Sequence, residues 1–294
     1  MQRRQFIALL GTLSAVATAE TVSAKSPNLV EPVHRVDPEA RIANASVANA
    51  LPPAPKPLDD ALARARKSLL TCREQVRDYT ALLIKRERVD GVLGPHEYMS
   101  AKIRCRKISE GQITQPLSVY LSFIKPAAVR GREVLYVEGQ NNNKLIAHEG
   151  GLKGRFLPTV KLPPTGSLAM KGQRYPMTDI GIENMLVKLI QRGEQARSLP
   201  DVQSELGTAT LNKRPCSVLT VTQPTKRPDL LFYKAKVYMD NELNIPIRYI
   251  AYDWPKQPNG PLEVLEEYNY LNLKLNVGLT DNDFDPNNAK YNFY

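Results

Sequence analysis

Pro116-Leu117-Ser118-Val119-Tyr120-Leu121-Ser122-Phe123-Ile124 decides the fold class. In an extended chain Leu117, Val119, Leu121 and Phe123 fall on one face and Ser118, Tyr120 and Ser122 on the other, the signature of a strand with one apolar side. The same period of two runs through 79–89, 96–108, 132–138 and 143–149. Turn residues at Asp90-Gly91, Gly94-Pro95, Glu110-Gly111, Lys125-Pro126 and Gly139-Gln140-Asn141 separate these runs, so the stretch predicts an antiparallel meander. Over 102–107, Lys102, Arg104 and Arg106 alternate with Ile103 and Cys105, which gives the sheet a basic face opposite its apolar one.

Before the meander, Leu58, Leu62, Ala65, Leu69, Cys72 and Val76 recur at steps of three and four and predict an amphipathic helix packed on the sheet. After it, Gly and Pro break up 150–177, which reads as a long irregular loop and a candidate lid or mouth. A second helix is expected over about 179–196, with Ile182, Met185, Leu186, Leu189 and Ile190 on one face. Strands resume over 206–212, 215–223, 231–240, 245–254 and 262–275, for about ten strands and two main helices.

The N-terminus reads as an address. Arg3-Arg4-Gln5-Phe6-Ile7 and a short apolar run ending in Ala17-Thr18-Ala19 or Val22-Ser23-Ala24 form a twin-arginine export signal over 1–24. Seven prolines between Lys25 and Pro57 predict a flexible linker over 25–57, which leaves 58–294 as a single domain. The expected location is periplasmic or otherwise exported.

The chain of 294 residues carries a net charge of +10, unevenly spread. Residues 141–240 hold 15 Lys and Arg against 8 Asp and Glu, whereas 241–294 hold 4 against 8. A basic body that is exported meets an anionic membrane surface more readily than nucleic acid, and the strands lack the interleaved aromatics of a single-strand-binding platform. The three cysteines, Cys72, Cys105 and Cys216, are too widely spaced for a C-x-x-C pair, leaving one bridge or three buried thiols open.

Candidates for chemistry are few. Of the histidines, His34 lies in the linker, and His148-Glu149-Gly150-Gly151 does not continue as H-E-x-x-H because Leu152 follows. There is no G-x-S-x-G elbow, no phosphate loop and no dinucleotide fingerprint. Asp281-Asn282-Asp283-Phe284-Asp285 begins like a calcium loop but has Pro286 in place of the required Gly and Asn292 in place of the closing Glu. Trp254 and the C-terminal aromatics Tyr268, Tyr270, Phe284, Tyr291, Phe293 and Tyr294 are expected to pack or to seal the sheet edge. Neither a cofactor nor a metal is expected.

Lys125-Pro126 through Gly131-Arg132-Glu133-Val134-Leu135-Tyr136-Val137-Glu138-Gly139, and Leu168-Ala169-Met170 through Thr178-Asp179-Ile180-Gly181-Ile182-Glu183-Asn184, resemble an exported bacterial family known as a domain of unknown function. With the ending Leu279 to Pro286, the resemblance covers nearly all of 58–294. The element order is more distantly similar to periplasmic lipoprotein carriers of the LolA/LolB type. That similarity implies an α+β fold: a strongly curved, unclosed antiparallel half-barrel with two helices against its concave side.

The expected function is therefore non-enzymatic: an exported envelope protein that holds a lipid, acyl or other apolar ligand in the half-barrel, as a lipid or lipoprotein carrier would. Candidate lining residues are Leu82, Ile84, Met99, Ile103, Val119, Leu121, Phe123, Leu135 and Val137 from the sheet, with Met185 and Leu189 from the second helix. The alternative is an envelope sensor or scaffold that binds a protein partner through the same sheet and the 150–177 loop. A hydrolase would need His96 or His148 beside a carboxylate in a cleft.

Overall fold

A computed structural model describes residues 56–293. The predicted export signal, and all but the last two residues of the predicted linker, lie outside the described residues. The chain opens with helix α1 (Asp59–Gln75), which buries Ala61, Leu62, Ser68 and Cys72 and carries Asp59 and Asp60 in its first turn, where the helix dipole favours acidic groups. It ends where Val76 turns extended.

The meander follows as β1 (Asp78–Val89), β2 (Val92–Leu93), β3 (Glu97–Arg104), β4 (Lys107–Ser109), β5 (Gln112–Gln115), β6 (Ser118–Lys125), β7 (Glu133–Val137) and β8 (Leu145–His148). The run predicted as one strand over 96–108 breaks at Cys105, and β4 pairs with β5 as a separate hairpin. The 150–177 segment is not wholly irregular: it contains the short helices α2 (Gly151–Gly154) and α3 (Ser167–Met170) around an edge strand, β9 (Val160–Leu162). Helix α4 (Ile182–Ala196) comes next, then β10 (Gln203–Leu211), β11 (Arg214–Thr222), β12 (Lys234–Asp240), β13 (Pro246–Tyr252) and β14 (Val264–Leu275).

One sheet contains twelve of these strands, in the order β10-β11-β12-β13-β14-β1-β3-β6-β7-β8-β9, with β2 folded back on β1. Every pairing is antiparallel, and the last strand joins the first, Tyr79 opposite Leu275 through Glu87 opposite Glu266. The sheet stays unclosed, with β9 and β10 as its two edges, and forms the half-barrel of an α+β fold.

On the helix-covered face, Tyr79, Leu83, Met99, Ile103, Val119, Leu121 and Phe123 pack against Cys72, Val76, Ile182 and Leu186 in one core. On the outer face, Tyr120, Leu135, Val137 and Ile146 pack under Leu279, Phe284, Tyr291 and Phe293 of the C-terminal segment. This segment also covers the predicted basic strand face: Lys102 pairs with Asp283 at 2.7 Å and Arg104 with Asp281 at 2.6 Å. The sequence that begins like a calcium loop is thus a 3-10 turn, Asp281–Phe284, capped reciprocally by Thr280 and Asp283, and its carboxylates face cations of the sheet.

Candidate functional site

Helices α1 and α4 lie side by side, with the start of α1 and the end of α4 over the second half of the sheet. They can approach because α4 presents Gly193 to α1: a Cβ there would stand 2.7 Å from Leu62 Cδ2. Beneath them, the alternation Ala235-Val237-Met239 against Lys234-Lys236-Tyr238 turns the small and apolar side chains of β12 inward. The resulting space is a cavity of about 180 Å³ between α1, α4 and β10–β12. A single water needs roughly 10–15 Å³ on this measure, so the space exceeds one site by an order of magnitude.

The walls are Leu58 at the N-cap of α1 with Ala61, Leu62 and Ala65 within it, Leu186, Leu189 and Ala196 from α4, Phe232 just before β12, and Leu219, Val221, Ala235, Val237 and Met239 from the sheet. Leu206 of β10, 53 % exposed, and the exposed Arg64 and Lys67 line its open side. Polar groups stand at both ends of β11 and β12. At one end Gln223 is 2 % exposed, and its Oε1 has no hydrogen-bond partner. At the other, Asp240 is 1 % exposed and pairs with Arg214, while Ser68 donates to the Asn244 carbonyl at 2.7 Å.

Arg192 links the cavity wall to a buried ionic network. Its guanidinium donates to the Tyr175 hydroxyl at 2.7 Å and the Tyr249 hydroxyl at 3.3 Å and stands 3.5 Å from Glu266. Glu266, 3 % exposed, also accepts from Arg174 at 3.0 Å and from Tyr175 at 3.2 Å. Glu87 accepts the Arg174 backbone N–H at 3.0 Å and the Tyr268 hydroxyl. Burial and then Glu266 push the Tyr249 hydroxyl well above its ordinary value. Burial works against the charge of Arg192, but Tyr249, Tyr175 and Glu266 outweigh it and raise its pKa. This network of paired charges holds the 173–175 loop on the sheet.

The eleven predicted lining residues do not share one site. Leu189 lines the cavity. Met185 packs between the two neighbouring cores. Met99, Ile103, Val119, Leu121 and Phe123 lie in the closed core, each at most 7 % exposed, although Ile103 borders a small void of about 30 Å³. Leu135 and Val137 are buried on the outer face under Phe284. Leu82 and Ile84 alternate with the buried Ala81, Leu83 and Lys85, and so are half-buried on the outer face. The rest of the cavity wall comes from the apolar stripes of α1 and α4, read only as packing faces, and from strands read only as strands, for which the alternation of β12 was the available signal.

His96 and His148 do not line the cavity. His96 is 3.5 Å from Glu267, which Arg248 already binds at 2.7 Å. His148 is buried, with Nδ1 3.1 Å from the Thr159 hydroxyl. The three thiols are free and buried. Hydrogen bonding with Cys72, together with burial, pushes the Cys105 thiol far up its scale.

Solved structures of similar arrangement include the MucA/MucB complex of Pseudomonas aeruginosa, with 15 % identity over 77 % of this chain and 60 % of that one and a TM-score of 0.44. A putative outer membrane lipoprotein-sorting protein domain from Vibrio parahaemolyticus shares 15 % identity over 77 % and 96 % of the two chains, with a TM-score of 0.37. A LolA superfamily protein from Nitrosomonas europaea shares 12 % identity over 75 % and 97 %, with a TM-score of 0.30. No curated protein matches the sequence. Residues 76–293 match a family described as a protein of unknown function, and the chain belongs to that family, DUF1571.

Proposed function

We propose that this chain is a non-enzymatic envelope protein that binds a lipid, acyl or other apolar ligand, transiently, in the cavity between α1, α4 and β10–β12. The observation that carries the reading is the cavity itself: an open, predominantly aliphatic space in a protein interior, where close packing is the rule. Each methylene moved from water into it contributes about 0.8 kcal/mol. Ten methylenes therefore supply about 8 kcal/mol, from which ordering costs subtract several, and reversible binding results. Arg64 and Lys67 at the open side suit an anionic headgroup, and Gln223 Oε1 offers an acceptor to a hydroxyl or amide.

The test combines native mass spectrometry and organic extraction of the protein from its own envelope with titration by a fluorescent fatty acid. A stoichiometric acyl species, and saturable uptake that Leu189→Trp abolishes by filling the space, are the expected results. A clean apoprotein that takes up no probe, or uptake indifferent to Leu189→Trp, would sink the reading. An apoprotein that co-elutes with an envelope protein would replace it with the scaffold.

A further inference from the structure

The segment between β8 and α4 packs Leu162, Ala169 and Met177 against the core but keeps five other apolar side chains in water. Phe156 is 84 % exposed, Leu152 76 % and Leu168 71 %, with Leu157 and Val160 also exposed. Exposed apolar residues scattered singly need no explanation, but here four fall within nine residues, 152–160, and flank an edge strand. The segment is also one-sided in charge. Residues 150–177 hold Lys153, Arg155, Lys161, Lys171 and Arg174 and no acidic residue. Among these, Arg174 joins the buried network through Glu266.

The base of the projection is fixed. A Cβ on Gly150 would meet the Gly131 carbonyl carbon at 2.1 Å, and one on Gly154 would meet the Glu149 carbonyl oxygen at 1.9 Å, so both positions are pressed against neighbouring backbone. The contact with Gly131 brings the β6–β7 turn alongside, with the exposed Ile124 and Lys125 at the end of β6 and Arg130 in the turn. Apolar and cationic side chains are thus presented together at the β9 end of the sheet. The cavity lies at the opposite, β10 end.

We propose that this projection docks the protein on an anionic lipid bilayer, with Leu152, Phe156, Leu157 and Val160 inserted at the headgroup boundary and Arg155 and Lys161 against lipid phosphates. An interfacial segment needs this pairing of apolar area with basic charge, and neither half suffices for stable attachment. A protein partner fits less well. Strand β9 has three residues between Pro158 and Pro163-Pro164, too short and too proline-bound to template a further strand, and protein interface cores are depleted in lysine. Among the described residues no helix is long and apolar enough to cross a membrane. The proposal does not depend on what the cavity holds.

The test is sedimentation of the full chain with vesicles of equal parts phosphatidylglycerol and phosphatidylcholine, against vesicles of phosphatidylcholine alone. The paired substitution Leu152→Ser and Phe156→Ser should lower partitioning onto the anionic vesicles about tenfold or more without moving the melting temperature, since both side chains lie in solvent. The pair Arg155→Gln and Lys161→Gln should lower it several-fold, an effect that about 0.5 M salt removes. Because every variant keeps residues 1–55, their contribution cancels in the ratio. Leu189→Trp should bind vesicles like the wild type, which separates this proposal from the cavity reading. Equal partitioning of the paired serine variant and the wild type overturns the proposal, as does equal binding to neutral and anionic vesicles. Capture of an acidic envelope protein by these residues in place of vesicles also overturns it.

Discussion

Asp240 joins the cavity rim to the turn that follows β12. Its carboxylate pairs with Arg214 and accepts the backbone N–H groups of Glu242 at 2.9 Å and Leu243 at 3.0 Å, while the residue is 1 % exposed. Burial alone would push the carboxyl up, but Arg214 and the two N–H groups reverse this and hold it below the ordinary 3.8. A lowered folded value contributes stability above the ordinary value, and that stability is lost as pH falls through the folded one. Asp240→Asn should therefore cost about 1–3 kcal/mol in urea unfolding at pH 7, with the gap closing once pH drops below the folded value. A gap unchanged by acid would show that the charge of Asp240 is not what holds the turn. Residue-level reading of the sequence failed at a related kind of site. Leu82, Leu83 and Ile84 are all apolar, so period two cannot fix the phase of β1, and the interior phase continues through Lys85 and Glu87, charged residues that pairing keeps buried.

At the scale of elements, both main helices and the ten long strands were legible because each carries a complete apolar stripe or a turn on either side. Strand β9 was not: a strand of three residues in a short stretch bounded by prolines holds no period, and only pairing with β8 makes it a strand. The C-terminal segment was legible in part. Its aromatics were expected to pack or to seal the edge of the sheet, and Phe284, Tyr291 and Phe293 pack on its outer face, where Tyr120 stacks on Tyr291 with ring centres 4.0 Å apart. Phe284, 3 % exposed, is the centre of that cover, with the Arg104 guanidinium 5.1 Å from its ring centre. Phe284→Ala should cost about 3 kcal/mol or more and free Lys102 and Arg104 from Asp283 and Asp281. Hydrogen exchange should then show faster exchange in 279–293 and in the outer-facing part of β6 and β7. Unchanged protection there would mean that the ion pairs, not the aromatic cover, hold the segment down.

At the scale of the molecule, the cavity is the place where distant parts of the chain meet. Its walls come from α1 at the start, α4 in the middle and β10–β12 beyond it, so no single stretch of sequence contains the site. This is why a reading that worked along the chain placed the ligand against the first strands, where the apolar alternation is strongest and packing is closed. The same geometry sets a thermodynamic expectation. A ligand that touches all three walls binds only when α1, α4 and the second half of the sheet are docked together, so binding should stabilise the native fold as a whole. At a free fatty-acid concentration about a hundred times its dissociation constant, the gain is roughly 2.7 kcal/mol. For a domain of this size that corresponds to a rise in melting temperature of roughly 5–10 °C. The wild type should show one cooperative transition displaced by that amount, whereas Leu189→Trp, with the space filled, should melt at the same temperature with and without the fatty acid. Displacement of only part of the transition would mean that the ligand grips one wall alone, and an equal shift in both proteins would place its binding outside the cavity.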